Sequence, residues 1–238
     1  MDFRIVYAVF LALGIVVGGF ACAFEYVIYQ QTGSKKYSFL RNFPYELNQF
    51  HLGQKKSFIL FGVEIISGLC FVASMVFASI YLANNRGNPT SAYVFFVVAT
   101  LIIISFFILR FTKLTNYKGH LVFVTINVVL NLLLLLLYYF FFTNKNYQYV
   151  VDTGVRVFEI IFILILILFE FFLMINPTYK NWAKMVKMDA EVYSRPKYCY
   201  LPILEWGNVL VYLLANIPLL FVSFLKWFFS SPEINGNA

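Results

Sequence analysis

Long apolar runs separated by short polar ones set the pattern of this chain. Six stand out: Ile5–Phe24, Ser57–Leu82, Ala92–Leu109, Leu121–Phe142, Val157–Ile175 and Ile203–Phe228. None alternates with the two-residue period of a barrel strand. Each is long enough to cross a bilayer core as a helix, for which roughly 17–25 residues suffice. Turn signals fall between the runs at Asn84–Pro89, Asn144–Asn146 and Asn176-Pro177. The pattern predicts an all-α, polytopic integral membrane protein. Its expected form is a bundle of six transmembrane helices in a single membrane domain over residues 1–238.

Composition agrees. The chain is 61% hydrophobic and 12% charged, against roughly 25% charged in an average soluble domain. Too few polar residues remain to cover a water-soluble surface. Cys22, Cys70 and Cys199 form no CxxC pair, so neither a disulfide framework nor a zinc site is expected.

The net charge of +7 changes the picture only through its distribution. The Tyr29–Lys56 segment carries Lys35, Lys36, Arg41, Lys55 and Lys56. The connection after the third run adds Arg110, Lys113 and Lys118. The one after the fifth adds Lys180, Lys184, Lys187, Arg195 and Lys197. Only Arg4, Arg86, Lys145, Arg156 and Lys226 fall on the other side. Positive loops stay in the cytoplasm. Both termini are therefore expected on the non-cytoplasmic side, and no nucleic-acid partner is needed to explain the charge. Phe20–Phe24 also resembles a signal-peptidase site, whose cleavage would invert this count; an uncleaved first helix is the reading adopted. The Asn-, Lys-, Ile- and Phe-rich usage points to a bacterial plasma membrane.

Gly14 and Gly18 make a GxxxG step in the first run, and Ser74 and Ala78 a similar one in the second. Small residues four apart let helix backbones approach closely in lipid, here within the chain or against another subunit. Two cytoplasmic segments, residues 29–56 and 177–200, mix basic and aromatic residues. After Asn176-Pro177, Lys180, Lys184 and Lys187 share one helical face, with Trp182 nearer the other. Arg41 and Tyr45 sit in the first segment, among Tyr37, Phe39 and Phe43. These positions form a candidate surface for anionic headgroups of the bilayer, or for a membrane or cytoplasmic protein partner.

Ionisable residues inside a membrane are costly, so they mark candidate sites. Glu64 follows Lys56 by about 12 Å of helix, and Glu170 precedes Asn176 by about 9 Å. Asn127 and Asn131 lie one turn apart on the fourth run, with His120 on the same face. Asn208 enters at a comparable depth on the sixth, with Glu205 nearer the interface, and Arg110 ends the third. Glu64, Asn127, Asn131, Glu170, Asn208 and Arg110 thus form a candidate polar layer. Two acids there would hold a cation or exchange a proton, with asparagine oxygens as neutral ligands. The competing reading makes Glu64 and Glu170 interhelical ties to Asn127, Asn208 or Arg110. Asn216-Ile217-Pro218 interrupts the last run, as proline must.

Enzyme chemistry is poorly represented. With only His51 and His120 there is no polyhistidine centre, and HExxH, GxSxG and phosphate-cradling motifs are missing from the sequence. No metal and no cofactor is expected. The leading expectation is a transporter or membrane subunit of a transport system, cation- or proton-coupled through the Glu/Asn layer. The alternative is a non-catalytic adaptor that docks a partner through its basic aromatic loops.

Overall fold

The computed structural model describes residues 3–32, 36–44, 46–49, 55–86, 89–112, 117–144, 153–175 and 200–221. All regular structure among these residues is helical. The elements are α1 (Phe3–Thr32), α2 (Glu46–Gln49), α3 (Lys55–Arg86), α4 (Pro89–Phe111), α5 (Tyr117–Thr143), α6 (Thr153–Ile175) and α7 (Tyr200–Ala215). Six helices are long and apolar enough to cross a membrane, from Phe3–Gln31 with 29 residues to Pro202–Phe221 with 20. Large apolar side chains such as Val16, Phe20, Phe58, Phe172 and Ile175 stand bare on their outer faces. A soluble monomer rarely leaves so broad an apolar surface uncovered.

The sequence expectation differs from α1 in one respect. The apolar run stops at Phe24, but the helix continues to Thr32. Residues 25–32 keep the helical hydrogen bonding although their composition turns polar. The segment at 177–199, with Lys180, Trp182, Lys184 and Lys187, and also Tyr45, lie outside the described residues.

Helices pack largely in chain order: α1 on α3, α3 on α4, α4 on α5, α5 on α6 and α6 on α7, with α7 returning to α5. The α1–α3 contact depends on small residues. A Cβ at Gly18 would stand 2.6 Å from Ser67 Oγ. The Ser67 hydroxyl donates to the Gly14 carbonyl at 2.8 Å. The GxxxG step therefore serves packing within the chain.

One apolar cluster gathers Tyr7, Leu11, Met75, Phe95, Tyr138 and Leu219. A second, smaller one joins Phe43, Leu109, Val124, Val128, Leu173 and Leu204. Beside the first cluster α7 breaks at Asn216, where Pro218 cannot supply a helix donor. The Asn216 side chain ties the break down. Its Oδ1 accepts from Tyr138 Oη at 2.8 Å and from Tyr7 Oη at 3.1 Å. Its Nδ2 donates to the Tyr212 carbonyl at 2.7 Å. Close by, Arg156 of α6 donates to the carbonyls of Phe142 and Thr143, at 2.8 and 3.2 Å. These are carbonyls that the end of α5 leaves without helical donors.

Candidate functional site

The first connection folds inward. Tyr37, Phe43 and Leu47 are buried, while Phe39 remains exposed. The Tyr37 hydroxyl donates to the Phe43 carbonyl at 2.8 Å, and burial pushes that phenol well above its ordinary range. Asn42 Nδ2 and the Phe43 amide both donate to Glu46 Oε2, at 2.8 and 3.1 Å. Trp206 of α7 donates its indole N–H to the Asn42 carbonyl at 3.3 Å. So this stretch caps one end of the bundle instead of lying wholly on its rim. Arg41 is half-buried beside it.

Under the cap sits Arg110, the last polar residue of α4. Its Nε donates to Glu64 Oε1 at 2.8 Å, and its Nη2 lies 2.6 Å from the same oxygen. Nη2 also donates to Glu25 Oε2 of α1. Nη1 donates to the Pro44 carbonyl at 2.6 Å. One guanidinium thus binds α1, α3, α4 and the cap together. Arginine suits this, because its planar fork presents several donors in fixed directions.

Glu25 is the residue that sequence reasoning missed. It follows the apolar run by one position, so a count of apolar residues stops short of it. The available signal is periodicity: Gly14, Gly18, Ala21 and Glu25 share one helical face. Of these, Ala21 and Glu25 are 1% exposed.

A second pair of ionisable side chains joins α5 to α7. His120 Nε2 and Glu205 Oε1 stand 2.6 Å apart, both buried. The asparagines work separately. Asn127 Nδ2 donates to Ser105 Oγ at 2.7 Å. Asn131 Nδ2 donates to Asn208 Oδ1 at 3.1 Å. Glu170 takes part in neither group. It lies on the inward stripe of α6 between Leu166 and Leu173 and is 0% exposed. Among the described residues, neither of its carboxyl oxygens has a hydrogen-bond partner. Of the expected layer, Glu64 and Arg110 are joined, Asn131 and Asn208 are joined, and Glu170 stands by itself.

Arg110, Glu64, Asn127, Asn208 and Glu205 all reach the wall of one partly open cavity of about 390 Å³. That falls within the roughly 300–1,000 Å³ of small-molecule sites. Most of the wall is apolar, and much of it aromatic: Phe71, Phe106, Phe107, Trp206 and Tyr212. Gly14, Gly18 and Gly19 form its α1 side, and Val209 and Leu213 part of its α7 side. A Cβ on Gly19 would meet nothing within 4 Å, whereas one on Gly68 would collide with the Phe107 ring. Gly68 therefore lets that ring lie against α3. Glu170 and Asn131 are not on the wall. Among the described residues, no group of three or more His, Cys, Asp or Glu side chains is placed to hold a metal ion.

Chemically, the cavity offers hydrogen-bonding and charged groups at one end and ring faces along its length. Such a site can bind and orient a small molecule. Set against known protein families, curated proteins and solved structures, the chain matches none of them.

Proposed function

We propose that the chain is a multi-pass transporter, or the membrane subunit of a transport system, and that the cavity beside Arg110 is its substrate site. The observation that carries this reading is the cavity itself, lined by five of the six described helices of membrane-crossing length, with Glu64 and Arg110 on its wall. Charged groups inside an apolar bundle commonly mark a substrate or ion path. The break in α7 at Asn216 is of the kind that transporter helices use. The distribution of Lys and Arg supports a plasma-membrane orientation with both termini outside and the cap over Arg110 on the cytoplasmic face.

Proteoliposomes loaded with the pH-sensitive dye pyranine test the reading. They are challenged in turn with organic cations, amino acids and sugars. The expected result is a solute-driven proton flux in the native protein that Glu64→Gln abolishes while the variant stays folded. A folded native protein that moves no proton with any of these solutes overturns proton-coupled transport and favours the adaptor reading.

A further inference from the structure

We propose that the cavity binds an uncharged molecule with a flat apolar body and one hydrogen-bond donor, an arylalkyl alcohol in chemical class, and that the amide oxygen of Asn127 accepts from that donor. The inference names the ligand of the transport site and rests on that choice of site.

Ser105 fixes the orientation of the Asn127 amide. The Ser105 hydroxyl donates to the Ile102 carbonyl at 2.8 Å. A hydroxyl has one proton, and this one is committed to the backbone, so Ser105 Oγ can only accept from a further partner. Asn127 therefore turns its N–H group there, and Nδ2 donates at 2.7 Å. A flipped amide would set two acceptor oxygens against each other. Oδ1 is the group left over. Among the described residues it has no hydrogen-bond partner, in a side chain that is buried. Buried polar groups seldom stay unmatched. An amide oxygen accepts and does not donate, so the missing group is a donor.

Position separates this oxygen from others like it. Asn131 Oδ1 and both oxygens of Glu170 also lack partners among the described residues, but neither residue is on the cavity wall. Asn127 is, and with Val124 it forms the α5 side. Ser105 is not on the wall. The donating side of the amide is thus held by a residue off the cavity, and the accepting side is left for an occupant.

The charged groups on the wall favour a neutral occupant, because they are already engaged. Arg110 donates to Glu64, to Glu25 and to the Pro44 carbonyl. Glu205 stands 2.6 Å from His120. A charged ligand gains a full partner only by breaking one of these contacts, whereas a neutral one leaves them in place. Rings decide the body. Phe71 and Phe106 approach Tyr212 edge to face on the wall, with ring centroids 6.2 and 6.0 Å away. A further flat ring packs well on such a surface, offset or edge on. A lone water would meet Oδ1 but would leave these rings uncovered, and a buried water needs two or more polar partners.

The probes are 2-phenylethanol, its methyl ether, phenethyltrimethylammonium and phenylacetate. The first two differ in one donor, and the last two carry a charge of either sign. Trp206 on the wall is the reporter, in full-length protein carrying Trp182→Phe and Trp227→Phe, held in nanodiscs of zwitterionic lipid. Binding is compared at equal concentration in the lipid. The alcohol is expected to change the Trp206 emission saturably, about fivefold or more tightly than the ether, as one hydrogen bond to a buried acceptor implies. Both charged probes are expected to bind more weakly than the alcohol. Asn127→Leu is expected to make alcohol and ether bind alike. Equal binding of alcohol and ether to the native chain, or tighter binding of either charged probe, overturns the proposal whether or not the variant folds. A preference for the alcohol that survives in folded Asn127→Leu overturns it too, by placing the acceptor elsewhere. Saturable alcohol binding without flux of any solute in proteoliposomes overturns transport and leaves this assignment standing. Flux with no preference for the alcohol does the reverse.

Discussion

Glu64 and Glu170 are both glutamates on apolar helices, each within a few turns of a helix end. Glu64 shares a guanidinium with Glu25 and borders a cavity. Glu170 is fully covered by its neighbours, and among the described residues its two oxygens meet no donor. The contrast separates two uses of one residue type. A paired carboxylate in a low-dielectric setting is held by its partner, and removing that partner strands a charge. A carboxyl without such a partner is costly to bury, because a bare charge there costs far more than a hydrogen bond returns. The first arrangement is suited to meeting a ligand. The second is suited to filling space between α5, α6 and α7.

The sharpest way to break this comparison is Arg110→Leu. It strands Glu25 and Glu64 and should destabilise the fold by about 3–5 kcal/mol, read from denaturant unfolding in mixed micelles. A native midpoint in that variant would mean the cluster does not hold the bundle together. Glu25→Gln should cost less, about 1.5–3 kcal/mol, since one charge-assisted bond is weakened while Glu64 still answers the guanidinium. Its unfolding midpoint should fall between those of the native chain and Arg110→Leu; a loss as large as the arginine's would show that Glu64 alone cannot serve. Glu170→Gln should change stability least, by less than about 1 kcal/mol, because one neutral hydrogen-bonding group replaces another of equal size. A loss on the scale of Arg110→Leu would show Glu170 to be charged and partnered, and the contrast would collapse.

Position along each helix was legible in the amino-acid sequence, and azimuth was not. Helix rise places Glu64, Glu170 and Asn208 at similar heights from the polar ends of their runs, and the structure keeps these positions within the helices. Which way each points depends on neighbours far away in the chain. The stripe of Glu159, Ile163, Leu166, Glu170 and Leu173 turns toward α5 and α7, so Glu170 never meets α3. Arg110 was legible as a group at a helix end, and Glu64 as its possible partner. Glu25 was hidden because hydropathy ends where the helix does not. The break at Asn216-Ile217-Pro218 could be read from proline alone. Its anchoring by Tyr7 and Tyr138 could not, since those hydroxyls arrive from 209 and 78 residues away.

The tie between Tyr7 of α1 and Asn216 at the end of α7 bears on the order in which the protein is made. Each helix from α3 to α6 finds its main partner already synthesised, directly before it in the chain. α7 packs on α6 in the same way, but it must also reach back, to α5 and to Tyr7 near the start. Until it does, the chamber beside Arg110 lacks Trp206, Val209 and Leu213 from its wall. The wall of the chamber is complete only once α7 has docked, so a side chain placed early in the chain waits for the last described helix before its surroundings are finished.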